Sequence, residues 1–252
     1  MNPTIIGLEL KRISRDHVGL FFIAGLPAFM YVIFGAAQTF GAEDIGRGNV
    51  SLYIMISMAV YGAVTATVSI GGQAAVERQQ GWGRQLGLTP LRDSSYVAGK
   101  ALIALSVALI PITLIYGIGI GTGAKGEAWV WATSAAIVLL GAGVFALYGL
   151  VFGLALRSES AVGAASGSLV IFAFLGNIFI PLSGIMLTIA KFTPLYGFVS
   201  LARYPLTGGD SVETSGDLTH ESLWVPLANV VVWTMIMAVA TVFLARRGRE
   251  RQ

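Results

Sequence analysis

Six intervals without a single Asp, Glu, Lys or Arg divide this sequence, and each is long enough to cross a lipid bilayer. They lie between Asp16 and Glu43, Arg47 and Glu77, Lys100 and Lys125, Glu127 and Arg157, Glu159 and Lys191, and Glu221 and Arg246. A helix rises ~1.5 Å per residue, so ~20 apolar residues cover ~30 Å of hydrocarbon. A soluble domain carries roughly 25% charged residues. Here the share is 12%, against 55% apolar, and the charges gather between the apolar runs. The pattern predicts an all-α membrane protein with six transmembrane helices.

The expected elements are an N-terminal interfacial helix over 3–16, spans over about 18–38, 50–75, 96–121, 129–156, 160–180 and 223–245, a polar connection over 77–92 holding a short cytoplasmic coupling helix between spans 2 and 3, and an outer hairpin over 181–206, all in one transmembrane domain, 1–252. In the first stretch Ile5, Ile6, Leu8 and Ile13 alternate with Glu9, Lys11, Arg12 and Arg15, a mixture suited to a helix lying in the membrane interface. No cleavable leader is expected, because the first apolar run is too long for a signal core. Pro27 and Pro111 fall inside spans, where neighbouring helices can satisfy the carbonyls they free. Trp129 and Trp131 open the fourth span as interfacial anchors. Gly149 and Gly153, and likewise Gly163 and Gly167, stand four apart and would let helix backbones approach closely. After Asn177 the pattern breaks at Pro181, Ser183 and Gly184, then stays semi-apolar through Lys191, Pro194, Arg203 and Pro205. That stretch reads as a re-entrant or interfacial hairpin.

Basic residues near span ends resist translocation. Counted on a six-span layout, twelve lie on the side of the termini and the 77–92 connection: Lys11, Arg12, Arg15, Arg78, Arg84, Arg92, Lys100, Arg157, Arg246, Arg247, Arg249 and Arg251. Only Arg47, Lys125, Lys191 and Arg203 lie on the other. Both termini are therefore expected in the cytoplasm, in a multi-pass protein of the plasma membrane.

The chemistry present is sparse. The chain has no Cys, and its two histidines, His17 and His220, are far apart, so no metal site is expected. No phosphate-binding loop is present: Gly99-Lys100 lacks the upstream Gly and following hydroxyl, and the glycines of 117–123 have no strand before them. No span carries a charge at mid-depth, which disfavours an ion-coupled carrier. If such a chain drives anything uphill, the energy must arrive through a surface contact. The stretch Glu77 to Arg92, ERQQGWGRQLGLTPLR, is the natural handle. It is basic, rooted in membrane at both ends, and offers Trp82, Leu86 and Leu88 to a groove on a partner.

The pattern Glu77-Arg78-x-x-Gly81, then Leu86 and Thr89-Pro90-Leu91, resembles the first cytoplasmic loop of ABC-2-type transporter permeases. Pro181-Leu182-Ser183-Gly184-Ile185, Thr193-Pro194-Leu195-Tyr196 and Leu201-Ala202-Arg203 resemble that family's stretch after the fifth span, with Thr193 where Asn is frequent and Lys191 inside an often apolar hairpin. The resemblance implies a permease without catalytic residues or cofactor of its own. It would associate with two cytosolic ATP-binding cassette subunits, which hold the ATP and Mg, and with a second permease chain, identical or related; nucleic acid is not an expected partner. It implies that Glu77, Arg78, Gly81, Trp82, Leu86 and Pro90 couple to the ATP-binding subunit. It further implies that the first, second and fifth spans form the dimer interface and pathway, with Tyr53, Tyr61, Phe172, Phe174 and Asn177 as pathway candidates; lipid-facing or packing roles fit these aromatics equally well. The resemblance implies the permease subunit of an ATP-driven exporter, and the apolar lining suggests hydrophobic or amphiphilic cargo, drug- or lipid-like, moved out of the cytoplasm or inner leaflet. The alternative is a non-transporting scaffold or sensor that docks a signalling protein on the same handle.

Overall fold

Residue 50 begins a helix whose small and hydroxyl-bearing side chains let neighbours close on it from all sides. The computed structural model describes residues 3–77, 93–156, 158, 160–212 and 218–249. Among them are α1 (Pro3–Arg15), α2 (His17–Ala36), strands β1 (Asp44–Ile45) and β2 (Gly48–Asn49), α3 (Val50–Glu77), α4 (Asp93–Thr122), α5 (Ala128–Leu156), α6 (Ser160–Leu175), α7 (Gly184–Ala190), α8 (Pro194–Thr207), β3 (Asp210–Val212), β4 (Leu218–His220) and α9 (Trp224–Arg249). Among the described residues five helices, α2, α3, α4, α5 and α9, are long and apolar enough to cross a membrane, and the bent pair α7–α8 would make a sixth if it is one span. This is the all-α membrane fold expected from the charge spacing, with the interfacial helix ahead of the first span.

α3 is the axis of the bundle, buried along nearly its whole length, with α2, α4, α5, α6 and α8 packed around it. Three of its hydroxyls are satisfied within the helix: Ser57 donates to the Tyr53 carbonyl, Thr65 to Tyr61 and Thr67 to Val64. Hydroxyl side chains can thus sit in a buried helix without an unpaired donor. Where α3 meets α5, a side chain on Gly149 would overlap the Val68 carbonyl, and one on Gly153 would lie 2.8 Å from the Gly72 carbonyl oxygen. The backbones touch there as the four-residue spacing predicts. Gly163 and Gly167 of α6 behave otherwise, since a Cβ on either would meet nothing within 4 Å; they face outward from the chain.

Gly62 lies where both span prolines converge: a Cβ there would be 2.7 Å from Pro111 Cβ of α4 and 2.9 Å from the Ile23 carbonyl oxygen of α2. α2 accommodates Pro27 by widening into π-helical turns at Phe21–Gly25 and Val32–Ala36, a device found where a helix ladder is interrupted.

Connectivity gives the bundle two distinct ends. Tyr31 near the end of α2 bonds through its hydroxyl to Ser51 at the start of α3 (3.0 Å) and Thr122 at the end of α4 (3.1 Å). Asn49 joins the same region, donating to the Gly123 carbonyl and accepting from the Leu52 and Lys125 amides. The Arg47 amide donates to the Leu206 carbonyl, bringing the end of α8 onto the β1–β2 hairpin. This is the hairpin end. At the opposite end α1, the last turn of α3 and the first turns of α4 meet.

Two differences from the sequence reading stand out. α6 stops at Leu175, five residues before the expected end at 180, because Gly176 is followed by Asn177 in the left-handed region (φ 60°). At ~1.5 Å per residue its 16 residues span ~24 Å, short of a full bilayer core. The chain then turns into α7 and α8, which are bent by 95° and form the expected hairpin. The second difference concerns charge: Arg203, read as a residue of the outer hairpin, is 5% exposed and lies against Ser57, two turns into α3. The spans themselves carry no mid-depth charge, but the folded hairpin sets a buried one against α3 two turns from its start, which a count along the spans does not register.

Candidate functional site

At the end opposite the hairpin, Glu77 closes the last turn of α3 and is the one coupling candidate among the described residues. Arg78, Gly81, Trp82, Leu86 and Pro90, and with them the expected coupling helix, lie outside them. The Glu77 carboxylate gathers two cations: Lys100 Nζ of α4 stands 2.7 Å from its Oε2, and Arg12 Nη1 of α1 3.3 Å from its Oε1. The same ammonium lies 2.6 Å from Glu9 Oε1. Glu9 and Arg12, three apart on α1, share a helix face, while Leu10 and Ile13 pack toward Ile23, Ile103, Ala104 and Val107. Lys100, Glu77 and Glu9 are 13%, 19% and 22% exposed, whereas Arg12 is 65% exposed. Lys100 is therefore the hub, shared by two largely dehydrated carboxylates, and Arg12 the wet rim. Sequence reasoning chose Glu77 but missed Glu9 and Lys100 as its company. A signal existed, since Lys100 is the single charge between Asp93 and Lys125.

The pathway candidates occupy three settings. Tyr53 and Tyr61 are buried two turns apart on α3. The Arg203 guanidinium lies 4.0 Å over the Tyr53 ring. Tyr61 meets Phe179 edge-on at 5.1 Å, and Phe179 meets Phe174 at 4.9 Å, so these two candidates belong to one aromatic string that surfaces at Phe174. Phe172 packs against Tyr148 of α5 at 6.2 Å. Asn177, buried in the left-handed turn, accepts the Leu182 amide on its side-chain oxygen (3.1 Å). Placing α3 at the centre of the chain encloses its tyrosines, whereas α2 and α6 keep exposed apolar faces, including Phe21, Phe29, Ile171 and Phe174.

The hairpin end carries the other polar cluster. Arg203 donates from Nε and Nη2 to Ser57 Oγ at 2.8 and 2.6 Å. Glu221, 8% exposed, accepts from the Tyr196 hydroxyl at 3.1 Å and lies 2.9 Å from Lys191 Nζ. Tyr53, Arg203 and Glu221 line one narrow cleft together with Ser200, Thr207 and Asp210. α9 caps the hairpin: Asn229 donates to the Lys191 and Thr193 carbonyls and Trp233 to Phe192. These bonds satisfy backbone groups that a broken helix would leave bare at membrane depth.

The chain is thus a membrane-spanning α-helical bundle with a bent hairpin at one end and an ion cluster at the other. Residues 4–207 match the family described as "ABC-2 type transporter", and the chain belongs to that family. It is also 24% identical over 244 residues to the Bacillus subtilis (strain 168) protein named "Putative transport permease YvfS", an alignment covering 95% of this chain and 94% of that one. The ABC-2 chain is the membrane component of its transporter and pairs with ATP-binding subunits.

Proposed function

We propose that this chain is the transmembrane permease subunit of an ATP-driven exporter that moves hydrophobic or amphiphilic compounds out of the cytoplasm or inner leaflet. Two cytosolic ATP-binding cassette subunits would dock on the 77–92 connection, holding ATP and Mg, and a second permease chain would complete the pathway. Both termini and the connection would face the cytoplasm from the plasma membrane. The observation that carries this reading is the position of Glu77, which roots the connection in α1 and α4 through ion pairs of 3.3 and 2.7 Å. A push on the connection would therefore reach two further helices.

The test is purification of the intact complex from membranes. An exporter brings down an ATP-binding protein, and its turnover falls in Glu77→Ala and Trp82→Ala. A permease that purifies without an ATPase, or a turnover indifferent to both substitutions, overturns the reading in favour of a scaffold or sensor.

A further inference from the structure

Glu9, Arg12, Glu77 and Lys100 come from three elements separated by up to 91 residues in sequence, yet their charges sum to zero within one cluster. An interfacial helix that only rests on lipid has no need to turn a carboxylate inward. α1 turns Glu9 toward Lys100 and seats Leu10 and Ile13 by the apolar side chains of α2 and α4, so it is held by ionic and apolar contacts together. Charges in such a partly dehydrated setting interact more strongly than exposed pairs. Removing the shared ammonium would leave Glu9 facing Glu77 with only the exposed Arg12 as counter-ion, a penalty that separation of the helices would relieve.

We infer that Lys100 is a positioning residue that locks α1 to the ends of α3 and α4, so that the interfacial helix moves with those two helix ends as one lever and does not act as an independent gate. This rests on the coupling role proposed above and adds to it the body that receives the displacement. Glu77 is the last residue of α3 and the first of the connection, so force on the connection acts directly on the carboxylate that Lys100 holds.

The chain contains no Cys, which allows a clean test on the complete complex with its ATP-binding subunits in lipid nanodiscs. Lys100→Met should lower permease-dependent ATP turnover about tenfold, equivalent to ~1.4 kcal/mol of coupling, while the ATP-binding subunits still co-purify. Lys100→Arg should retain most of the turnover. In Glu9→Cys/Lys100→Cys the ion pair is gone and turnover should be low. Joining the two thiols with a short bis-maleimide should restore it in the same preparation, which separates a positioning role from a folding defect. Turnover that is unchanged in Lys100→Met, or a double-cysteine complex that works unlinked and stops when linked, overturns the lever and leaves the coupling reading standing. A wild-type chain that brings down no ATPase overturns both.

Discussion

At the end next to the connection a half-buried cation meets carboxylates, with Lys100 between Glu9 and Glu77, whereas at the hairpin end the buried Arg203 meets a hydroxyl and an aromatic ring. The first cluster is neutral as a set, and one member, Arg12, reaches water. It can be displaced as a set without leaving a charge unpaired. Arg203 has no such latitude. Its Nε and Nη2 bonds go to Ser57 Oγ, and its plane lies over Tyr53; sliding α8 by a turn along α3 would carry the guanidinium into apolar surroundings. A buried ion contributes little net stability but specifies register. The two ends thus differ in what their charges do. One is a joint that can be driven, the other a pin that fixes where the hairpin sits.

The largest effect should come from removing the pin and the volume it fills. Arg203→Ala leaves a cavity between α8 and α3 and should cost about 2–4 kcal/mol in a denaturation measurement on the purified chain. Arg203→Met keeps the stem and discards the charge, and should fall within about 1 kcal/mol of wild type, since Ser57 still has the Tyr53 carbonyl as acceptor. Equal losses in the two variants would mean that the guanidinium itself stabilises the hairpin, and the contrast between the ends would fail. Next comes Lys100→Met, which strands Glu9 and leaves Glu77 only the exposed Arg12, and should cost about 1.5–3 kcal/mol by the same measurement, the scale of a hydrogen bond to a charged group. Glu221→Gln should cost about 1 kcal/mol. It keeps an acceptor for Tyr196 but deprives Lys191, 35% exposed, of its counter-charge.

How much of this could be read from the chain varies with the range of the interaction. The spans were legible because hydrocarbon excludes charge, so the gaps from Arg47 to Glu77 and from Glu127 to Arg157 survive folding as α3 and α5. The break after Asn177 was legible because Pro181 and Gly184 cannot continue a helix smoothly, although the end of α6 at Leu175 depends on a left-handed Asn that sequence does not announce. Close approach at Gly149 and Gly153 was readable; its partners, Val68 and Gly72, were not. The same spacing at Gly163 and Gly167 leads to no close approach among the described residues, because spacing specifies a smooth face and not what covers it. Arg203 was counted by its position in an outer loop, and only the bend between α7 and α8 turns it toward Ser57, 146 residues away. The ion cluster was half legible. Glu77 carried a family pattern, while Glu9 and Lys100 acquire meaning only once α1 is laid against α4.

Arg12 gives the smallest expected effect and the finest test of the contrast. Its guanidinium reaches Glu77 at 3.3 Å but its side chain is 65% exposed, so solvent screens the pair and side-chain entropy opposes it. Exposed pairs of this kind contribute about 0.2–1 kcal/mol, and Arg12→Ala should lie at the lower end of that range in dilute salt. Raising ionic strength from ~0.1 to ~1 M shortens the screening length from ~10 to ~3 Å, which should erase the Arg12→Ala difference. The larger cost of Lys100→Met should persist, because its carboxylate partners are largely shielded from the added ions. Denaturation of wild type and both variants at the two salt concentrations reads this directly. If the two substitutions cost the same in dilute salt and vanish together in concentrated salt, the joint is an ordinary surface network, and Lys100 does not grip α1 more firmly than Arg12 does.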